Sequence, residues 1–322
     1  MKNKKVVILE PGYSSYSAEQ EILDSINAEL VVVPEDASFD EVIAAIKDAE
    51  VVLLRDRPLP ANIIEHMEKI KGIVRYGVGY DNVDCTYATA QKIAVANVPD
   101  YGADAVAEYA LGLMLTASRQ ISLRDREVRL GAWNIAEKAP MRLMCGKTLG
   151  LVSFGRIAKC FLAKVSAMGL GKVLVHDPYV SAEDCVKYNV TPVDMDTLCK
   201  EADFISLHAP LTEATRYIIN QKRLALMKST TVIVNTGRGG LIDETALYNA
   251  LASKQIFAAG IDVFEKEPAI NGHPLFALTN CVVSDHTAWY SVESCRELQT
   301  KAAQEAVRIL LGEQPKHWVN RW

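Results

Sequence analysis

The feature that most constrains this chain is a recurrence. Short β-branched runs alternate with amphipathic stretches from the first residues onward, a pattern that predicts parallel strands joined by helices and an α/β fold. Val6–Leu9, Leu30–Val33, Val51–Leu54, Ile73–Arg75 and Ile93–Ala96 read as strands, each followed by a turn signal and a helix-like segment. A long apolar helix over Asp104–Ser118 and a charged stretch from Arg124 to Gly131 follow. A second series then runs Thr148–Val152, Lys172–His176, Phe204–Leu207, Thr231–Val234, Ala258–Ile261 and Cys281–Ser284. Two series imply two open, doubly wound sheets. The last helical segment, Ser294–Leu311, has no new strand to follow, so it is expected to pack back on the first domain. That makes one domain discontinuous, residues 1–100 with 291–322, around a second of residues 101–290.

A length of 322 residues suits two domains, and 49% hydrophobic with 23% charged residues is an ordinary globular composition. The net charge of −5 offers no broad cationic surface and argues against nucleic acid as a partner. Seven widely spaced cysteines, with no CxxC pair, point to reduced thiols in a reducing compartment and to no metal site. The first apolar run stops at Glu10 and Pro11, too short for a signal peptide, and Ala105–Ala117 is broken by Glu108, too short for a membrane span. A cytoplasmic protein with no membrane partner is expected.

Two glycine-bearing turns invite a ligand. Gly77-Val78-Gly79 follows a strand but has Asn82 where a dinucleotide fingerprint needs its third glycine. It suits a carboxylate better: the turn exposes backbone N–H groups at a strand's carboxyl end, beside the cation of Arg75. A plain tight turn is the competing explanation. The second turn reads Ser153-x-Gly155-x-x-Ala158, with Gly155 in the position that lets a pyrophosphate approach and the N–H groups of Arg156 and Ile157 opening a helix. Asp177 ends the next strand, placed for ribose hydroxyls and against a 2′-phosphate, so NAD is expected as cofactor. Ser153 departs from the fingerprint; if the turn demands positive φ, it costs about 1 kcal/mol, and NAD binding is expected to be weaker than with glycine there.

Three ionisable residues fall after successive strands: Arg238 in Asn235-Thr-Gly-Arg-Gly-Gly, Glu267 in Asp262-Val-Phe-Glu-Lys-Glu-Pro, and His286 in Ser284-Asp-His-Thr-Ala-Trp. All reach one sheet edge. An Arg there can hold a carboxylate and polarise a carbonyl, a His can exchange a proton, and a Glu beside it would keep the His protonated. Singly, each is more readily structural: an Arg or Glu at a strand end is usually a surface ion pair, and a lone His a satisfied core or surface residue. Together they suit hydride transfer to a 2-oxo acid.

These residues carry a resemblance that spans nearly the whole chain. It resembles the D-isomer-specific 2-hydroxyacid dehydrogenase family in Arg75–Asp84, in Asn97–Pro99 through Val106–Glu108, and in Gly237–Asp243, Asp262–Pro268 and Asp285–Trp289. Val98–Gly102 and His286–Ser291 are most similar to the branch that includes the C-terminal binding proteins. The resemblance implies a flavodoxin-like substrate domain and a Rossmann NAD-binding domain. It makes Arg238 the residue that orients the oxo acid, His286 the general acid/base and Glu267 its partner. Val78 and Gly79 would hold the substrate carboxylate with Arg75 close by, and Trp289 would wall the pocket. Gly155, Arg156 and Ile157 would hold the pyrophosphate, Asp177 the ribose, and Ala209 and Pro210 would line the adenine side. Thr236 and Asp262 would meet the nicotinamide end, with Gly237 also on the cofactor side, and His208 would be structural or cofactor-lining. The helix over 104–118 looks like the family's dimerisation segment, which implies a homodimer.

Several alternatives stay open. Asp285 stands where the family usually has Pro, either acting on His286 or pointing away. Arg55 and Arg57 either greet a second anionic group, as in a phosphorylated 2-hydroxy acid such as 3-phosphoglycerate, or pair with Asp56 or another acid. Trp289 and Tyr290 argue instead for a larger apolar substituent. An NADH-sensing binding module like the C-terminal binding proteins is the rival to an enzyme.

Overall fold

The computed structural model describes residues 4–9, 12–133 and 140–322. Glu10 and Pro11, expected to end the first apolar run, lie outside them. Internal contacts divide the chain into two units, Met1–Gly102 with Ser291–Trp322, and Ala103–Tyr290.

The first unit runs β1 (Lys4–Leu9), α1 (Ser17–Asp24), β2 (Ala28–Val33), α2 (Phe39–Ile46), β3 (Val51–Leu54), α3 (Ala61–Ile64), β4 (Gly72–Arg75), α4 (Cys85–Ala90) and β5 (Ala94–Asn97). Its strands pair in parallel in the order β2-β1-β3-β4-β5, which is the flavodoxin-like order. Every residue of β3 is buried, as a parallel strand covered on both faces requires. The C-terminal helix of the chain packs against α1, β3, β4 and β5 of this unit. Its Gln299 amide donates to both oxygens of the buried Glu19 of α1 at 3.0 Å, and the Tyr76 hydroxyl donates to the same carboxyl at 2.9 Å. Burial raises the pKa of Glu19 despite those bonds. Asn320 accepts from the Val95 N–H and donates to the Ile93 carbonyl, securing the C-terminal segment beside β5.

The second unit runs α5 (Ala103–Arg119), α6 (Ile121–Arg129), β6 (Thr148–Val152), α7 (Arg156–Val165), β7 (Lys172–His176), α8 (Ala182–Tyr188), β8 (Thr191–Pro192), α9 (Met195–Glu201), β9 (Phe204–Leu207), α10 (Gln221–Leu226), β10 (Val232–Asn235), α11 (Glu244–Ala252), β11 (Ala258–Ile261) and β12 (Cys281–Val283), and the C-terminal helix, α12 (Val292–Leu310), then returns to the first unit. Its seven strands are parallel in the order β12-β11-β10-β9-β6-β7-β8, the Rossmann order with one strand added. The order reverses between β6 and β9, the switch point where such sheets open a crevice. Strand β8 was not foreseen: it is two residues long, pairs only with Leu174 and Val175, and its Pro192 has no N–H to extend the ladder. Elsewhere strand ends shift by a residue or two, as with β10, which gains Asn235.

Helix α5 buries Val106, Ala107, Ala110, Leu113, Met114 and Ala117 against α7, β10 and β11, so most of its apolar face is spent inside its own unit. Large apolar residues are exposed just beyond it, at Ile121, Val128, Leu130, Trp133 and Leu143. No helix among the described residues is long and apolar enough to cross a membrane. All seven cysteines are free, and burial pushes the thiols of Cys199 and Cys281 up to about 12, which keeps them protonated packing residues.

Candidate active site

The loops after β10, β11 and β12 leave the second sheet at one edge because the strands are parallel neighbours. Asn235, at the end of β10 and buried, shapes the first loop: its amide donates to the Arg238 carbonyl at 2.9 Å and accepts from the Gly237 N–H at 3.0 Å. Arg238 is half-buried, and its guanidinium also reaches the Gly237 carbonyl. The next residue, Gly239, explains how this loop meets the one after β11. A Cβ there would lie 1.9 Å from the carbonyl carbon of Phe264, so only glycine lets the two backbones touch.

The loop after β11 supplies Glu267, whose Oε1 accepts from the Phe264 N–H at 2.9 Å and whose Oε2 is 2.6 Å from His286 Nδ1. Burial alone would raise this carboxyl's pKa. The hydrogen bond and charge of His286, the Phe264 N–H and the charge of Arg238 outweigh it and hold Glu267 below the usual glutamate value. Arg238, Glu267 and His286 are therefore brought together. Glu267 occupies Nδ1, which leaves Nε2 as the nitrogen to exchange a proton with a ligand.

His286 sits at φ 56°, a left-handed conformation that costs a non-glycine residue on the order of 1–3 kcal/mol. Asp262 holds it there. The Asp262 carbonyl accepts from the His286 N–H at 2.8 Å. Its Oδ1 accepts from the Ser284 hydroxyl at 2.7 Å and the Thr287 N–H at 3.0 Å, and its Oδ2 from the Ala288 N–H at 3.1 Å. Asp262 is fully buried. Both oxygens of its carboxylate are thus engaged by the His286 turn. Asp285 is exposed. Trp289 is half-buried, edge-on to the exposed Tyr290 with ring centroids 5.6 Å apart.

Around the switch point, the residues present fit a dinucleotide. Gly155 caps α7 with open space where a Cβ would stand, and Arg156 and Ile157 begin the helix. Asp177 follows β7, Ala209 is buried and Pro210 exposed after β9, and a Cβ on Gly237 would meet the Ala209 carbonyl oxygen at 3.1 Å, a tight contact. Two buried polar atoms at this sheet edge, Thr236 Oγ1 and His208 Nδ1, have no hydrogen-bond partner among the described residues. Such atoms call for a polar ligand or water. His208 donates or accepts through Nε2 with Ser206 at 3.0 Å, and burial pushes its pKa down to about 3, so it is neutral and unsuited to general acid work.

In the first unit, Gly77 has φ +128°, and a Cβ there would collide with the Arg75 guanidinium. The N–H groups of Val78 and Gly79 have no acceptor among the described residues, and Val78 is exposed. Asp56 lies 2.6 Å from Arg55 Nε and 3.6 Å from Arg75. Among the described residues no cluster of three or more His, Cys, Asp or Glu side chains could hold a metal.

The residues that sequence reasoning missed as site-builders are Asn235 and Gly239; the glycine directly after Arg238 was visible, but not the backbone it touches.

Residues 111–288 match the family model described as D-isomer specific 2-hydroxyacid dehydrogenase, NAD binding domain. The chain is 40% identical over 283 residues, 87% of its length, to D-3-phosphoglycerate dehydrogenase of Methanocaldococcus jannaschii, and the match spans about half (53%) of that longer protein. It is also 40% identical over 286 residues to hydroxypyruvate reductase of Thermotoga maritima, covering 88% of this chain and 92% of the relative. Among solved structures, D-lactate dehydrogenase with NAD+ from Lactobacillus jensenii aligns with a TM-score of 0.81 at 28% identity, covering 98% of this chain and 100% of the other.

Proposed function

The chain belongs to the D-isomer specific 2-hydroxyacid dehydrogenase family, and from that premise we propose that it is an NAD-dependent oxidoreductase interconverting a 2-oxo acid and its D-2-hydroxy acid. The observation that carries this is the 2.6 Å pair of Glu267 and His286 beside Arg238 at the carboxyl edge of the second sheet.

The dinucleotide, when bound, supplies or accepts a hydride at its nicotinamide ring. Gly155, Arg156 and Ile157 would hold its pyrophosphate at the α7 N-terminus and Asp177 its ribose, Ala209 and Pro210 would line the adenine side, and Thr236 and His208 would offer polar atoms to it, with Gly237 also on the cofactor side. The acid at the end of β7 favours NAD over a 2′-phosphorylated form. In the reducing direction Arg238 orients the 2-oxo acid and polarises its carbonyl, and His286 Nε2 gives the proton to the developing alkoxide. Glu267 stabilises the imidazolium before transfer and fixes which nitrogen faces the substrate. In the first unit, the N–H groups of Val78 and Gly79 take the substrate carboxylate with Arg75 beside them, and in the second Trp289 walls the pocket. This splits the work: residues 1–100 and 291–322 for substrate, residues 101–290 for cofactor.

Because Asp56 partly neutralises Arg55 and Arg75, a substrate with one carboxylate and an uncharged side group is favoured. NADH oxidation with glyoxylate, hydroxypyruvate, pyruvate and phosphohydroxypyruvate tests both levels. Turnover of at least one with loss in His286→Ala supports the enzyme; no turnover of any refutes it and favours an NADH-sensing binding module. A kcat/KM far higher for the phosphorylated acid refutes the monoanion preference. The working form is a cytoplasmic homodimer, a reading supported by seven free thiols and by exposed apolar residues at Ile121, Val128, Leu130, Trp133 and Leu143. Its apolar seat is better placed there than on α5.

A further inference from the structure

Ser153 stands in the turn between β6 and α7 at φ 71°, where the fingerprint for this turn has glycine. Its backbone N–H donates to the His176 carbonyl at 2.8 Å, which fixes the turn against the end of β7. Its side chain meets Asp177: Ser153 Oγ lies 3.2 Å from Asp177 Oδ2. The Phe154 N–H donates to the same Oδ2 at 2.7 Å, and the Tyr179 N–H donates to Oδ1 at 2.8 Å.

A carboxylate oxygen has two lone pairs. Oδ2 is thus filled by Phe154 and Ser153, and Oδ1 keeps one position. A ribose diol brings two O–H donors. One finds a place on Oδ1; the other must displace the serine hydroxyl, which is tied to the chain and loses a charge-assisted bond when it leaves. Water at the same position would be released to bulk instead. The left-handed strain of Ser153 is the same with and without ligand, so it cancels from the binding equilibrium, whereas the hydroxyl does not.

We propose that Ser153 competes with the adenosine ribose for Asp177 and is the residue that sets this chain's dinucleotide affinity. The inference rests on the NAD-binding reading above and names what tunes it. The magnitude is that of one exchanged hydrogen bond, about fivefold in dissociation constant.

Isothermal titration of the full chain with ADP and with 2′-deoxy-ADP provides the test. In the parent the two ligands bind with similar affinity. In Ser153→Ala and Ser153→Gly alike, ADP binds about fivefold tighter while 2′-deoxy-ADP changes little, because a single hydroxyl already fits on Oδ1. In Ser153→Ala carrying Asp177→Ala the difference between the ligands disappears. An unchanged ADP to deoxy-ADP ratio in Ser153→Ala overturns the proposal, as does a gain seen only in Ser153→Gly, which would assign the effect to the backbone. Binding of neither ligand by the parent or the variants overturns the nucleotide reading and this inference with it; equal binding by all overturns this inference alone.

Discussion

Replacing Glu267 by Gln removes one charge and leaves the shape. The Gln carbonyl can still accept from His286 Nδ1, so the ring keeps its orientation, but the imidazolium loses its counter-ion 2.6 Å away. A hydrogen bond to a charged group contributes about 1.5–3 kcal/mol. The side chains of His286 and Glu267 are 34% and 35% exposed, and solvent screening takes the effect to the lower end, about 1.5 kcal/mol. At about 1.4 kcal/mol per pH unit, the pH at which reduction falls off should move down by about one unit. Above that point kcat/KM for 2-oxo acid reduction drops about tenfold, while the low-pH plateau stays near the parent's. Glu267→Ala loses the orientation as well and lowers the plateau. The acid side follows from Glu267 itself. Its carboxyl is held below the usual value, so the pair is intact at and above the ordinary glutamate range and is lost only as pH falls through the lowered folded value. The assay is kcat/KM for NADH-dependent reduction from acid to alkaline pH. A Gln variant whose fall-off coincides with the parent's refutes the pair.

Three further outcomes follow from the same geometry. Gly239→Ala puts a Cβ 1.9 Å from the Phe264 backbone, so kcat should fall by about two orders of magnitude with NADH affinity, measured by fluorescence titration, within a few-fold of the parent. Asp262→Asn turns an acceptor into a donor facing the His286 turn; about 2 kcal/mol of stability and a large part of kcat should go, with KM little changed, as read by thermal melts and steady-state kinetics. Trp133→Asp, at an exposed apolar position beyond α6, should yield a monomer by light scattering, and a parent that is itself monomeric would remove the dimer from the account.

The alternation of apolar runs made both sheets legible, because buried parallel strands write themselves as continuous aliphatic segments such as Val51–Leu54. Arg238, Glu267 and His286 were legible for a related reason: each follows such a run, and parallel strands deliver their ends to one edge. Strand β8 was not, since Thr191–Pro192 has neither length nor apolar pattern. The hold of Asp262 on the His286 turn was hidden because the four hydrogen bonds it accepts come from residues 284–288, and a sequence states a residue's type but not its partners. Ser153 shows both sides. The departure from glycine was visible, and the structure supplies φ 71°, but the bond to Asp177 could be found only once β6 and β7 were side by side. Helix α5 was legible as a long apolar helix, but its packing against β10, β11 and α7 was not, since those elements lie far along the chain.

The central claim is that this edge of the second sheet moves a hydride to C2 of a 2-oxo acid on one face. NADH deuterated at the transferring position of nicotinamide C4, incubated with the best substrate of the panel, tests it most directly when the product is resolved by chiral chromatography and mass spectrometry. The account predicts one deuterium at C2 of the D-2-hydroxy acid, with product formation lost in His286→Ala. Deuterium in the L product, or a D product formed without label, would contradict it.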